Sequence, residues 1–178
     1  LDLAVRQGKA LYVGISNYNT IQTKEIMTIF NELRTPCIIN QPSYSMLNRW
    51  IEEDHLDDYA SNAGIGLAVF SPLYQGFLTD RYLQGIPGDS RIGKGNSWNK
   101  NELTPAMISK LNKLNDIASS RGQKLSQMAL SWVLRNGKVT TVLIGASRPE
   151  QILDNVESIK KRDFSTEELQ HIEEILAM

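Results

Sequence analysis

The chain has 178 residues, 41% hydrophobic and 22% charged, with a formal net charge of −1. That length suits one packed domain and is too short for two large ones, so residues 1–178 are expected to form a single domain. The near-neutral balance argues against a nucleic-acid partner, and no apolar run approaches the ~20 residues of a membrane span.

Residues 1–7 (LDLAVRQ) read as the last turns of a helix, with Gly8 as its left-handed stop. A chain that opens in mid-helix points to further sequence before Leu1. A first strand is expected at 11–15 (LYVGI), then a helix at 21–34 with apolar residues at helical spacing. A second strand at 37–40 (CIIN) precedes a charged amphipathic helix at 50–60 and a third strand at 65–70 (IGLAVF). The Gly- and Pro-containing stretch 73–102 reads as one long loop, and a loop of that length is usually functional. Thr104 and Pro105 form an N-cap followed by Pro at the first helical position. They open a helix to about Ser120, ended by Arg121-Gly122. A more apolar helix at 125–135 follows, then a fourth strand at 140–144 (TTVLI). Ser147 with Glu150, and Ser165 with Glu168, each fit an S-x-x-E capping box at the start of a helix. None of the four strand runs alternates polar and apolar residues. Continuous apolar runs predict strands buried on both faces, as in parallel sheets.

Two architectures suit this order. One is a small doubly wound sheet; the other is part of a (β/α)8 TIM barrel, which in full takes about 250 residues. The G-x-G-x-x-G fingerprint of a Rossmann fold is absent. In both cases a ligand belongs at the carboxyl ends of the strands.

Polar groups stand at each of those ends. Ser16-Asn17-Tyr18 follow the first strand, Gln41-Pro42-Ser43-Tyr44 the second, Ser71-Pro72-Leu73 the third and Gly145-Ala146-Ser147 the fourth. Ser16, Asn17 and Gln41 offer neutral donors and acceptors suited to a carboxamide; they equally suit turns and helix caps. At the fourth end, Gly145 lets backbone approach a ligand. Ser147 there caps a helix whose free N–H groups favour an anion. Arg148 and Gln151 lie within a turn of that cap, and Asp154 and Asn155 follow on the same helix. An ordinary capped surface helix explains Ser147 and Glu150 but not the rest of this cluster. Phe70 suits stacking on a flat ring and equally suits the core. Arg81 and Arg91 lie in the long loop, where arginines close over phosphates or simply face solvent. With one cysteine (Cys37) and two distant histidines (His55, His171) on charged helical stretches, no metal site is expected. The lone cysteine fits a reducing, cytoplasmic setting.

Four segments then match one family in order and spacing: LYVGISNY at 11–18, NQPSY at 40–44, FSPL at 70–73 with Gln75-Gly76, and IGASRPEQILDNV at 144–156. Together they resemble the aldo-keto reductases across essentially the whole chain. The subgroup resembled holds the bacterial L-glyceraldehyde 3-phosphate reductases and the potassium-channel β subunits. NQPSYSMLNR at 40–49 and GIPGDSR at 85–91 favour the reductases. The resemblance implies a (β/α)8 TIM barrel, of which this chain supplies about the last four βα units plus extra helices. It implies NADPH as cofactor and a small aldehyde, such as L-glyceraldehyde 3-phosphate or methylglyoxal, as substrate.

By the same resemblance, Ser16, Asn17 and Gln41 hold the nicotinamide carboxamide and Phe70 stacks on its ring. Ser71, Pro72, Leu73, Gln75 and Gly76 line the pyrophosphate path. Arg81 stands where the family has a Lys near the phosphates. Arg91 and Ser147 grip the 2′-phosphate, with Gln151, Asp154 and Asn155 around the adenosine. The family's proton donor is a Tyr supported by Lys, Asp and His from the first four strands; this chain shows no such set, so the 178 residues alone are expected to be inactive. The alternative is a non-enzymatic NADPH-binding sensor like the channel β subunits. A homo-oligomer is left open.

Overall fold

The computed structural model describes residues 1–88, 90, 92–93, 95 and 100–178 of the chain. A short helix α1 (Asp2–Arg6) leads through Gly8, in the left-handed region at φ 69°, to strand β1 (Val13–Ser16). Helix α2 (Thr20–Leu33) starts at Asn19, whose side chain accepts from the Gln22 N–H at 2.9 Å while Gln22 Oε1 accepts from Asn19 N–H at 3.1 Å. Strand β2 (Cys37–Gln41) follows, then α3 (Trp50–Glu53), α4 (Leu56–Ala63) and strand β3 (Gly66–Val69). After the long connection come α5 (Pro105–Ser120), α6 (Leu125–Val133), β4 (Thr141–Val142), α7 (Pro149–Val156) and α8 (Thr166–Ala177). Thr104 caps α5 and Ser165 caps α8 with Glu168, as their sequences predict.

The four strands form one sheet in the order β1-β2-β3-β4, every pair parallel. Ser16 registers with Gln41, Asn40 with Leu67, and Val69 with Val142. Parallel pairing in sequential order places every strand's carboxyl end at the same edge of the sheet. Gly14 sits where β1 crosses Ile39 closely: a Cβ there would lie 2.5 Å from Ile39 Cγ2.

Helices α2, α5, α6 and α8 cover one side. Phe30 of α2 packs with Val13, Ile15 and Cys37. A larger cluster joins Leu67 and Val69 of β3 to Leu111 and Leu114 of α5, Met128 and Trp132 of α6 and Ile172 of α8. Trp132 is fully buried, with the guanidinium groups of Arg135 3.6 Å and Arg49 5.1 Å from its ring centre.

Several sequence expectations need correction. Burial on both faces fails at β1, where Val13 and Ile15 are buried but Gly14 and Ser16 are exposed. Helices screen only one side there, and β1 has a single strand neighbour among the described residues. The strand also starts later than expected: Leu11 is 81% exposed, because pairing begins only at Val13 with Cys37. The fourth strand shrinks to Thr141–Val142, again with one strand neighbour. Phe70 falls outside β3. Its N–H donates to Pro42 O at 3.0 Å and its carbonyl accepts from Tyr44 N–H at 3.1 Å, so the strand ends in a link to the β2 loop.

The helix expected over 50–60 is two helices. His55, left-handed at φ 58°, breaks it where Asp54 turns to meet α2. Thr20 N–H donates to the Asp54 carboxylate at 2.6 Å and Thr20 Oγ1 to its backbone carbonyl at 2.8 Å. At α7 the cap is Arg148, not Ser147. Pro149 takes the first helical position and forces the residue before it into an extended conformation, which sets the frame. The described part of the long loop is not irregular throughout. It carries turns of 3-10 helix at Tyr74–Gly76, Asp80–Tyr82 and Lys100–Glu102, and it buries Phe77, Leu78 and Tyr82. Tyr74 donates to Glu102 at 2.6 Å, joining the start of the loop to its end.

Two outcomes check this packing. Leu67→Ala removes a fully buried side chain from the central cluster, and unfolding in urea is expected to show a loss of about 2–5 kcal/mol. Burial, helped by the Glu102 carboxylate, pushes the Tyr74 phenol up to about 12. The folded chain therefore keeps a proton that the unfolded chain releases near pH ~10, and this contribution is full below ~10 and lost as pH rises toward ~12. Urea midpoints measured across that window are expected to fall more steeply for the wild type than for Tyr74→Phe; equal slopes refute the role of the clasp.

Candidate functional site at the carboxyl edge of the sheet

The turn after β1 lies directly on the end of β2. Ser16 Oγ donates to the Gln41 carbonyl at 2.8 Å, and Asn17 N–H donates to the same oxygen at 3.2 Å. Asn17 is left-handed at φ 56°, which Asn tolerates better than most residues. Its Oδ1 accepts from the Ser43 N–H at 3.3 Å, so its Nδ2 is left to donate elsewhere. The Gln41 side chain is half-buried and makes no hydrogen bond with any other described residue. The structure thus brings Ser16, Asn17 and Gln41 together and leaves amide groups of two of them unspent.

Behind them the β2 loop is fastened to the helices. Trp50 Nε1 donates to Ser43 O at 2.7 Å and Asn48 Nδ2 to Ser43 Oγ at 3.1 Å. Tyr44 donates to Glu52, which also takes Arg135 at 2.9 Å and Arg49; Arg49 in turn reaches Glu173 on α8. Burial pushes the Glu52 carboxyl up, but hydrogen bonds from Tyr44, Arg135 and Arg49 outweigh it and hold the group below the usual carboxylate range. Burial drives the Tyr44 phenol well above its ordinary value.

The third strand end carries a run of unusual backbone. Ser71 (φ 55°), Tyr74 (46°), Gln75 (58°) and Gly76 (93°) all occupy the left-handed region. The Ser71 carbonyl accepts from Tyr74 N–H at 3.0 Å, and Gly76 O accepts from Thr79 Oγ1 at 2.6 Å. Phe70 is half-buried, Pro72 buried, and Leu73 packs at the margin of the core. Arg81 is exposed on the Asp80–Tyr82 turn, which lies against α5. Arg91 lies outside the described residues.

At the fourth strand end, Leu143 N–H donates to Val69 O at 2.8 Å, which carries the chain alongside β3. Gly145 is exposed, and a Cβ there would meet nothing within 4 Å. Gln151 Oε1 accepts from Ser147 N–H at 2.8 Å, Ser147 Oγ at 3.2 Å and Arg148 N–H at 3.3 Å. Ser147 and Gln151 therefore belong to one cluster at the start of α7. Asp154 faces α6, where Lys124 Nζ lies 2.6 Å from its carboxylate and Gln127 donates to its backbone at 3.0 Å. Asn155 is buried.

Sequence reading named Ser43 and Asn40 but gave no role to them, and it passed over the Tyr74–Glu102 clasp; these groups hold this edge in place. A polar residue inside the apolar run CIIN was the one available signal for Asn40. The other pairs are far apart in the chain, and nothing local announces them.

Comparison with known proteins bears on this geometry. The chain is 46% identical to the L-glyceraldehyde 3-phosphate reductase of Escherichia coli K12 over 178 residues, 98% of this chain and 51% of that protein. It is 36% identical to a putative voltage-gated potassium channel β subunit of Schizosaccharomyces pombe, covering 97% of this chain and 52% of that protein. The chain thus spans about half the length of the curated relatives it matches. Among solved structures it superposes on the glycerol dehydrogenase of Gluconobacter oxydans with a TM-score of 0.75 at 26% identity, covering 99% of this chain and 52% of the other. It also superposes on a thermostable aldo-keto reductase with a TM-score of 0.69 at 22% identity, covering 97% and 51%. The fold is that of a (β/α)8 barrel, of which this chain, with four parallel βα units and extra helices, covers about half. The family model for the Aldo/keto reductase family matches residues 1–177, and with the parallel sheet and its polar carboxyl edge it establishes that this chain belongs to that family.

Proposed function

We propose that this chain is the cofactor-holding half of an NADPH-dependent reductase of small aldehydes. The observation that carries the reading is the cluster of Ser16, Asn17 and Gln41 at the carboxyl edge. Asn17 keeps an amide donor free, and Gln41 keeps both a donor and an acceptor free. A carboxamide needs that complement, one acceptor for its NH2 and one donor for its oxygen. Phe70, half-buried at the adjacent strand end, offers a ring face for the nicotinamide.

The rest of the grip follows the edge. Ser71, Pro72, Leu73, Gln75 and Gly76 form the pyrophosphate path, where left-handed backbone turns the chain sharply. Gly145 leaves open space. Arg81 faces the phosphates, and Arg91 with Ser147 holds the 2′-phosphate. Gln151, Asp154 and Asn155 lie around the adenosine, with Gln151 already ordering the Ser147 amide.

When bound, the cofactor supplies the hydride that converts an aldehyde to an alcohol. This chain's residues orient the nicotinamide, which is the proximity contribution to catalysis. Protonation of the developing alkoxide needs an acid. Of the tyrosines at the strand-end loops, Tyr44 and Tyr74 have their phenols committed to Glu52 and Glu102, and Tyr18 is exposed outside any motif of the family's proton donor. That role belongs to a Tyr, with Asp, Lys and His, outside these residues. Small aldehydes such as L-glyceraldehyde 3-phosphate or methylglyoxal are the substrates, in line with the reductase at 46% identity. A cytoplasmic location goes with this reading.

A second reading, a non-enzymatic NADPH sensor, is favoured by the channel β subunit at 36% identity. Both readings keep the cofactor grip, and they part at the proton donor: a full-length sequence with that Tyr replaced selects the sensor.

Two outcomes test the reading. NADPH fluorescence is expected to titrate to saturation with wild-type chain, with no aldehyde-dependent NADPH consumption by the 178 residues alone. Charge reversal in Arg91→Glu is expected to weaken NADPH by about 10- to 100-fold, the worth of a charge-assisted hydrogen bond, and NADH far less. Equal losses for the two nucleotides refute the 2′-phosphate role.

A further inference from the structure

We propose that Asn40 is a positioning residue that holds Asn17 in its ligand-reading pose; the functional part of this claim rests on the nicotinamide reading above. Asn40 is the next-to-last residue of β2 and is 0% exposed. Its Nδ2 donates in two directions, to the Tyr18 carbonyl at 3.0 Å and to Thr23 Oγ1 at 3.2 Å. Thr23, also fully buried, passes its own proton to the Asn19 carbonyl at 2.7 Å. One side chain thereby fixes the carbonyl of the residue after Asn17 directly, and the next carbonyl through Thr23.

This matters because Asn17 is held in a conformation that the chain does not favour, left-handed at φ 56°. Its N–H and Oδ1 are spent on Gln41 O and Ser43 N–H. Those two bonds orient the side chain only while the turn stays against β2, and Asn40 fastens the other end of that turn. Asn40 Oδ1 has no partner among the described residues. The site is built for the donating group at the expense of the acceptor, which packing alone does not require of a position in an apolar strand. An apolar residue of similar size would fill the space and leave the Tyr18 carbonyl with only the longer contact from Thr23 Oγ1 at 3.4 Å.

The test uses the 178-residue chain with Asn40→Ala and the gentler Thr23→Val. Hydrogen exchange is read at the amides of Asn17 and Ser43, both bonded in the turn, and at those of α5 and α6. Exchange at the first two is expected to rise at least about tenfold in Asn40→Ala and by less in Thr23→Val, with α5 and α6 unchanged. Binding of reduced nicotinamide mononucleotide is expected to weaken several-fold, and binding of 2′,5′-ADP to stay constant, a split that general loosening does not produce. Unchanged protection at Asn17 and Ser43, or protection lost in step with α5 and α6, overturns the proposal. If Asn40→Ala does not fold, Thr23→Val decides by the same comparison. If the wild type binds neither nucleotide, the nicotinamide reading falls, and exchange alone still decides whether Asn40 sets the pose of Asn17.

Discussion

The Gln41 carbonyl accepts two hydrogen bonds from the end of the neighbouring strand, one from Ser16 Oγ and one from the Asn17 amide, and the carboxyl edge takes its shape from that oxygen. The arrangement is available because β1 and β2 run parallel with Ser16 beside Gln41. In an antiparallel pair the two strand ends lie at opposite edges, and no such turn forms. Once the first turn lies on β2, the β2 loop is drawn to β3 through Pro42, Tyr44 and Phe70, and β3 to the end of β4 through Val69 and Leu143. Polar side chains from four separate stretches of sequence thus share one edge.

Polar groups on this molecule divide into two kinds. Those beneath the edge are mostly spent: Glu52 accepts from Tyr44, Arg49 and Arg135, Thr20 donates to Asp54, and Asn40 Nδ2 donates to Tyr18 O and Thr23 Oγ1, with Asn40 Oδ1 the exception. Those on the edge retain unused groups, namely the Gln41 amide and Asn17 Nδ2. Buried polar groups must be paired because desolvation without a partner is costly. Exposed ones stay unpaired cheaply, since water serves until a ligand arrives. A largely satisfied layer under a partly unsatisfied one is the arrangement that lets a site hold its geometry before it binds anything.

Local chemistry was easy to read from the chain. Gly8 in the left-handed region, the Thr104-Pro105 start of α5 and the Ser165–Glu168 box each depend on residues a few positions apart, and each formed as expected. Where local signals competed, the structure chose between them. Ser147 and Arg148 were both near the start of α7, and the ring of Pro149 settled the frame in favour of Arg148. The break at His55 was invisible because its cause is Thr20, more than thirty positions earlier, bonding to Asp54. Apolar runs overstated burial at β1 because a run reports what a strand tolerates on its two faces, not what covers them.

By itself the sequence determined the order of the strands and main helices, the parallel class of sheet, the four polar strand ends, and a resemblance strong enough to name the family. Those follow from hydrophobic periodicity, capping chemistry and short motifs, all of which act over a few residues. Tertiary structure alone decided which of the polar groups remain available. Asn17 turns one face of its amide to Ser43 and leaves the other, Gln41 keeps its whole side chain, and Asp154 is drawn to Lys124. Each is a matter of long-range pairing across the sheet or between helices, and such pairing exists only once the chain has closed distances that no local pattern encodes.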